Sequence, residues 1–194
     1  KPWELPVDKH LSFKPPIKIG FFGQFRKEKN LGFFLEAFTK AEFSVPVELI
    51  VQGATAKPED GELFEKFAKD YSQYSNISFL HQNLIGVEWQ KALLGVDAIM
   101  MPYAAERYRY HWGAMLFTAI GFYKPVLQSP ELNPEVLQQF NIGKAIDLSS
   151  VEAFSRQLEE FIEDLVKNTA VYQQGLDEAN HVYGQDKLIQ GILR

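Results

Sequence analysis

The chain contains no cysteine, which excludes disulfides, thiolate metal sites and cysteine nucleophiles together. Histidine is scarce too: His10, His81, His111 and His181 are scattered, with no pair at the close spacing of a metal-ligand set. No D-x-D triplet occurs. No window of about 18 uncharged apolar residues marks a membrane span. There is no basic excess either. The formal net charge is -5, so a general nucleic-acid surface is not expected, although local basic loops remain able to bind phosphates. Neither an internal repeat nor a low-complexity tract is present.

What is present fits one soluble domain. With 194 residues, 46% of them apolar, the chain can bury a single sizeable core. Residues 1–16 carry four prolines and little periodicity, as expected of a linker or lead-in that ends at Pro15-Pro16. A first residue of Lys1 with no signal peptide around it is expected of a chain cut from a longer protein. Residues 17–194 then alternate. Short apolar runs at Ile17–Phe22, Val47–Val51, Ile77–Leu80, Ala98–Met101 and Val126–Leu127, with a weak one at Ala145-Ile146, suit buried parallel strands. Between them, Leu31, Phe34, Leu35 and Phe38 keep helical spacing, and so do Phe64, Phe67, Tyr71 and Tyr74. Phe154, Leu158, Phe161, Ile162 and Leu165 continue the pattern into a helical tail, interrupted near Asn168-Thr169 and closing on Leu188, Ile189, Ile192 and Leu193. The order predicts an α/β fold: a Rossmann-like, doubly wound parallel sheet of about six strands with helices on both faces. Ligands of such sheets bind at the carboxyl ends of the strands, so the loops there carry the functional candidates.

The loop after the first strand runs from Gly23 through Gln24, Arg26, Lys27 and Lys29 to Asn30. It offers a glycine for close backbone approach and cations ahead of a helix whose amino end is itself partly positive, a combination suited to a pyrophosphate. As an isolated basic turn it is equally a solvated surface feature. After the second strand, Gly53 permits a phosphate or sugar to approach, or simply a turn. After the third, His81 and Gln82 present polar groups to a base or sugar; a lone histidine is more often a structural hydrogen-bonder. After the fourth, Tyr103, Glu106, Arg107, Tyr108, Arg109, Tyr110, His111, Trp112 and Gly113 interleave aromatic faces with guanidinium groups. Such a loop can stack on a sugar and hold phosphate, or pack against a neighbouring domain.

In their order, these residues resemble the carboxy-terminal, donor-binding domain of GT-B-fold retaining glycosyltransferases, the family 4 or group 1 type. The likeness covers Ile17 to the end: Gly23, Gln24 and Lys29 in the first loop, Leu35-Glu36-Ala37-Phe38, Leu49-Ile50-Val51-Gln52-Gly53, and Ile77-Ser78-Phe79-Leu80. It continues through Val96-Asp97-Ala98 to Pro102-Tyr103-Ala104-Ala105-Glu106 and ends at Tyr123-Lys124-Pro125-Val126. The resemblance implies transfer of a sugar from a nucleotide diphosphate to a glycan or lipid-linked acceptor, with retention and without a metal or other cofactor, as in cell-surface polysaccharide synthesis. Lys29 would bind the donor pyrophosphate, with Arg26 sharing the leaving-group charge. Glu106, with Gly113 and Ala114, would contact the donor sugar. An amino-terminal acceptor domain would be missing from this chain, leaving the donor half inactive alone. A cytoplasmic protein, with peripheral association at the inner face of the membrane, is the corresponding setting.

The chain departs from the family at three places. Gln24 stands where an arginine is usual. The stretch from Glu106 to Gly113 is about four residues longer than the family's. Thr118 occupies the place of the second glutamate, which commonly binds the nucleotide ribose, and no Asp or Glu lies between Glu106 and Glu131 to replace it. A second reading therefore stands beside the first: a non-catalytic GT-B-like binding or scaffold domain that has lost the ribose carboxylate. A sugar-nucleotide epimerase ranks last, since His81, His111 and Glu131 are the available acid/base groups.

Overall fold

A computed structural model describes residues 5–104 and 113–184. Among these described residues, six strands form one sheet: β1 (Ile17–Phe21), β2 (Val47–Gly53), β3 (Ile77–His81), β4 (Ala98–Met101), β5 (Val126–Gln128) and β6 (Gly143–Ala145). Their order is β3-β2-β1-β4-β5-β6 and every pairing is parallel. Chain order runs outward from β1 to β3, then returns to the other side of β1 at β4. This is the doubly wound Rossmann arrangement, with its switch point between β1 and β4.

The strands are apolar because the central ones are covered on both faces. Ile17, Ile19 and Phe21 in β1, Leu49 and Val51 in β2, and all of β4 are buried. Register follows from these contacts, with Ile17 opposite Val47, Phe21 opposite Val51 and Ile19 opposite Ala98. Among the described residues, seven α-helices join or follow the strands: α1 (Leu31–Lys40), α2 (Pro58–Asp70), α3 (Gly86–Leu94), α4 (Ala114–Gly121), α5 (Pro134–Gln139), α6 (Val151–Lys167) and α7 (Thr169–Tyr183). The stripe of α1 meets that of α6 through Phe33 and Phe34, each with its ring centroid 5.8 Å from that of Phe154. Ser150 starts α6, its hydroxyl accepting the Ala153 N–H at 3.0 Å. The interruption between α6 and α7 falls at Asn168.

Two spans differ from the sequence pattern. The periodicity running to Tyr74 outlasts α2, which stops at Asp70, because Ser72 turns back and donates its hydroxyl to Lys69 O at 2.8 Å. β6 begins at Gly143, two residues before the weak apolar pair, since a Cβ at 143 would lie 1.9 Å from Val126 O and only glycine can pair there. The lead-in is tied to the body. Leu11 is buried, its N–H donates to Gln173 Oε1 at 2.7 Å, and Gln173 returns a bond to Lys9 O at 2.8 Å. The apolar residues from Leu188 onward lie outside the described residues. Among the described residues, no helix is long and apolar enough to cross a membrane.

Candidate functional site

The loops following β1 and β4 leave the sheet on either side of the switch point. Gly23 opens the first of them at φ 110, a left-handed geometry that favours glycine. The loop is then pinned to the end of β2: Phe25 N–H donates to Ala54 O at 2.7 Å and Ala54 N–H to Gly23 O at 3.0 Å. Phe25 is buried as the anchor, which leaves Gln24 and Arg26 exposed on either side of it. A single 3-10 turn, Lys27–Lys29, follows, and Asn30 at φ 60 redirects the chain into α1. Among the described residues, no side chain caps the amino end of α1, and its first turn contains no acidic residue. Its first N–H groups and partial positive charge therefore adjoin the cationic loop.

The fourth loop meets the first. The Lys29 ammonium lies 3.8 Å from the centroid of the Tyr103 ring, and Ala104 N–H donates to Glu28 O at 2.9 Å. The start of α4 closes in from the same side, with the Met115 methyl 3.5 Å from where a Gly23 Cβ would be. Gly23, Lys29, Tyr103 and the Gly113–Met115 turn thus share one edge. Thr118 sits a turn further along α4, its carbonyl bonded to Phe122 N–H at 3.0 Å. Glu106 and Arg107 lie outside the described residues.

Gln52 was not singled out from the sequence, yet it joins the first and third loops. It is 2% exposed; Oε1 accepts Gly23 N–H at 2.9 Å and Nε2 donates to Gln82 O at 2.7 Å. A polar residue at the end of an otherwise apolar strand was the available signal. Beside it, a cleft of ≈380 Å³ is lined by Gly23, Gln24, Gln52, Asn83, Ile85 and Trp89, with Ile85 74% exposed. Amide groups with an apolar and aromatic wall suit a flat, polar-edged ligand such as a nucleobase.

Two other candidates are engaged by the fold itself. A Cβ on Gly53 would sit 2.7 Å from Phe64 and 2.9 Å from Phe25, so this glycine makes room for two buried rings. The His81 ring nitrogens face Glu65 Oε1 at 2.5 Å and Thr55 Oγ1 at 2.8 Å, and the ring packs on Phe64 at 4.8 Å between centroids. Among the described residues, no cluster of three His, Asp or Glu side chains is arranged to hold a metal ion.

A larger cavity, ≈540 Å³, opens at the opposite edge between the lead-in and the amino ends of β1 and β4, lined by Lys18, Asp97 and Lys124 among others. Burial holds Lys124 below the ordinary lysine range and raises the Asp97 carboxyl above its ordinary range. In a doubly wound sheet the ligand edge is that of the strand carboxyl ends. The smaller cleft and its neighbouring cations are therefore the candidate site.

No family model matches the sequence and no curated protein matches it. Solved structures do. The C-terminal domain of LpcC, a glycosyl transferase group 1 family protein of Francisella tularensis, matches with a TM-score of 0.65 at 18% identity, over 88% of this chain and 87% of that one. HepE of Anabaena, solved with UDP and glucose, gives 0.71 at 14% identity, over 91% of this chain and 47% of HepE. TarM of S. aureus, solved with UDP and α-GlcNAc-glycerol among its ligands, gives 0.69 at 12% identity, over 97% of this chain and 36% of TarM. The chain spans nearly all of the LpcC domain and less than half of HepE or TarM. The fold is that of the carboxy-terminal half of a GT-B glycosyltransferase.

Proposed function

We propose that this chain is the donor-binding half of a retaining glycosyltransferase, one that moves a sugar from a nucleotide diphosphate to a glycan or lipid-linked acceptor in cell-surface polysaccharide synthesis. The observation that carries the reading is the meeting of Lys29 with Tyr103 across the switch point, which brings the cationic loop and the sugar-side loop to one edge of the sheet. The base enters the cleft beside Gln24, Gln52 and Asn83. The pyrophosphate lies over the amino end of α1, within reach of Lys29 and Arg26. The sugar faces Glu106 and the Gly113-Ala114 turn, while the Thr118 hydroxyl or nearby backbone takes the ribose in place of a carboxylate.

The chemistry follows the charge. As the bond from the sugar to the leaving phosphate breaks, negative charge grows on the diphosphate. Cations and helix N–H groups already aimed there stabilise that state more than the ground state. No metal is needed for this step. The acceptor binds on an amino-terminal half, in a cytoplasmic protein that associates with the inner face of the membrane, and the 194-residue chain alone turns over nothing.

Titration of the chain with UDP and UDP-glucose by calorimetry or NMR, with and without EDTA, tests the reading. Binding that survives EDTA and weakens about tenfold or more in Lys29→Ala supports it. The Thr118 substitution at the ribose position favours the rival, a non-catalytic scaffold, and absence of nucleotide binding by the chain and by a two-domain version would select that rival.

A further inference from the structure

Both ends of the connection from β4 to α4 are fastened to one short turn. Ser129, 3% exposed just after β5, donates its N–H to Met101 O at 2.9 Å. Its hydroxyl lies 3.3 Å from Met101 O and bonds Tyr103 O. Four residues on, Asn133 takes a left-handed conformation, φ 41, and its Oδ1 accepts the N–H of Gly113, the residue that caps α4, at 3.1 Å. The Asn133 amide is oriented by its other end, Nδ2 donating to Glu135 Oε1 at 3.2 Å. The turn is closed by Leu132 N–H to Ser129 O at 3.1 Å and by buried Gln128, whose Nε2 donates to Leu132 O at 2.5 Å. Gln128 Oε1 has no hydrogen-bond partner among the described residues, so this glutamine serves the turn through its donor. At the far end, a Cβ on Gly113 would lie 2.8 Å from Asn133 Oδ1 and 3.0 Å from Leu132.

We propose that Ser129 and Asn133 are positioning residues for the donor sugar. They fix the separation between Tyr103, which carries the Lys29 ammonium, and the Gly113-Ala114 end of α4. The inference rests on the donor-site reading above. A site held by loops needs a supporting layer that locks their ends, because small displacements of the contacting groups lose most of their effect. The turn after β5 supplies that layer from the rigid sheet. It lies on the β4–β5 side, and no residue of it lines the Gln24, Gln52 and Asn83 cleft. Loss of its Asn133 end, which holds the Gly113 side, should therefore weaken recognition of the sugar and spare the nucleotide, whereas loss of the Ser129 hydroxyl, which holds Tyr103 beneath Lys29, should weaken both.

The test compares UDP-glucose with UDP as probes of the full chain. Asn133→Gly keeps the left-handed backbone and removes the acceptor, Asn133→Asp restores an acceptor oxygen, and Ser129→Ala removes the hydroxyl at the other end. Asn133→Gly should bind UDP-glucose about tenfold more weakly and UDP within about twofold of wild type, with Asn133→Asp recovering part of the loss, and Ser129→Ala should weaken both probes. Amide hydrogen exchange at Gly113 in the ligand-free chain, read beside the global unfolding midpoint, should quicken about tenfold in Asn133→Gly while the midpoint holds. Equal weakening of both probes in Asn133→Gly, or unchanged Gly113 exchange, would overturn the positioning role. Failure of both the wild-type chain and a two-domain version to bind either probe overturns the donor reading itself. Wild-type binding that Asn133→Gly and Ser129→Ala leave unaltered overturns the positioning role alone.

Discussion

The ammonium of Lys29 rests 3.8 Å from the centroid of the Tyr103 ring, joining the loops that leave β1 and β4 on either side of the switch point. Tyr103 is only 6% exposed, so the ring is a fixed platform. A cation over such a face gains about 0.5–2 kcal/mol. The ring thus holds the cation in place, which on the donor-site reading proposed above reduces the side-chain entropy lost on binding. Tyr103→Phe keeps the aromatic face and Tyr103→Leu removes it. UDP affinity should stay within about twofold in the first and fall about three- to tenfold in the second. Calorimetric titration measures both, with unfolding midpoints recorded to confirm that each variant is folded.

Gly23 follows β1 and Gly53 ends β2, and they resist a side chain for different reasons. Gly53→Ala meets Phe64 at 2.7 Å and Phe25 at 2.9 Å, an overpacking expected to destabilise by about 1–3 kcal/mol. Gly23→Ala has room, its nearest atom being the Met115 methyl at 3.5 Å, but its φ of 110 penalises any Cβ. Urea melts should show both losses. In the nucleotide titration, at a temperature where each variant is fully folded, Gly23→Ala should weaken binding and Gly53→Ala should not. Equal binding losses would place Gly53 at the ligand after all.

Gln52 couples two loops through one buried amide, so its replacement tests whether the cleft depends on that coupling. Gln52→Leu leaves Gly23 N–H and Gln82 O without this partner, at about 1–3 kcal/mol for a buried polar group left unsatisfied. Gln52→Glu can still accept from Gly23 but, when ionised, cannot donate to Gln82. Chemical denaturation should rank wild type above both variants. Amide exchange at Gly23 should rise in Gln52→Leu more than in Gln52→Glu.

The sheet was legible because β4 is buried throughout and β1 and β2 mostly so, which makes each a largely apolar run. The helices of α1 and α6 declared themselves by spacing, since each packs on one side only. The first loop was legible as well: a glycine, cations and the start of a helix are local features, and no other part of the chain was needed to see them. What escaped is non-local. Gln52 is a polar end to a strand, and its two partners are 29 and 30 residues away in sequence. Ser129 and Asn133 gave no sign of their role because Gly113 and Tyr103 come to them only when β4 and β5 pair. His81 looked available in sequence for the same reason: Glu65 and Thr55, which face its nitrogens, lie 16 and 26 residues away within the β2–β3 crossover.

The opposite edge of the sheet provides a pH test of the fold. Asp97 accepts Lys18 N–H at 2.8 Å, and burial raises its pKa above the ordinary range against the opposing pull of that bond and of Lys124 and Lys18. A carboxyl with a raised folded pKa holds its proton more tightly when folded than when unfolded. The associated stability is fully present below the unfolded value, about 4, and is lost as pH rises through the folded value. Asp97→Asn retains an acceptor for Lys18 N–H and has no proton to lose. Its stability relative to wild type should therefore increase as pH rises from about 4 to about 7, by about 1.4 kcal/mol for each unit of displacement. Lys124, held below its ordinary range by burial and drawn upward by Asp97 and Asp8, is replaced by methionine in both proteins of a second pair, so that its own titration does not contribute. Urea midpoints for both pairs at about pH 4, 5.5 and 7 measure the difference. A gap between variant and wild type that stays constant across that range would mean that the Asp97 carboxyl is as well solvated in the folded chain as in the unfolded one.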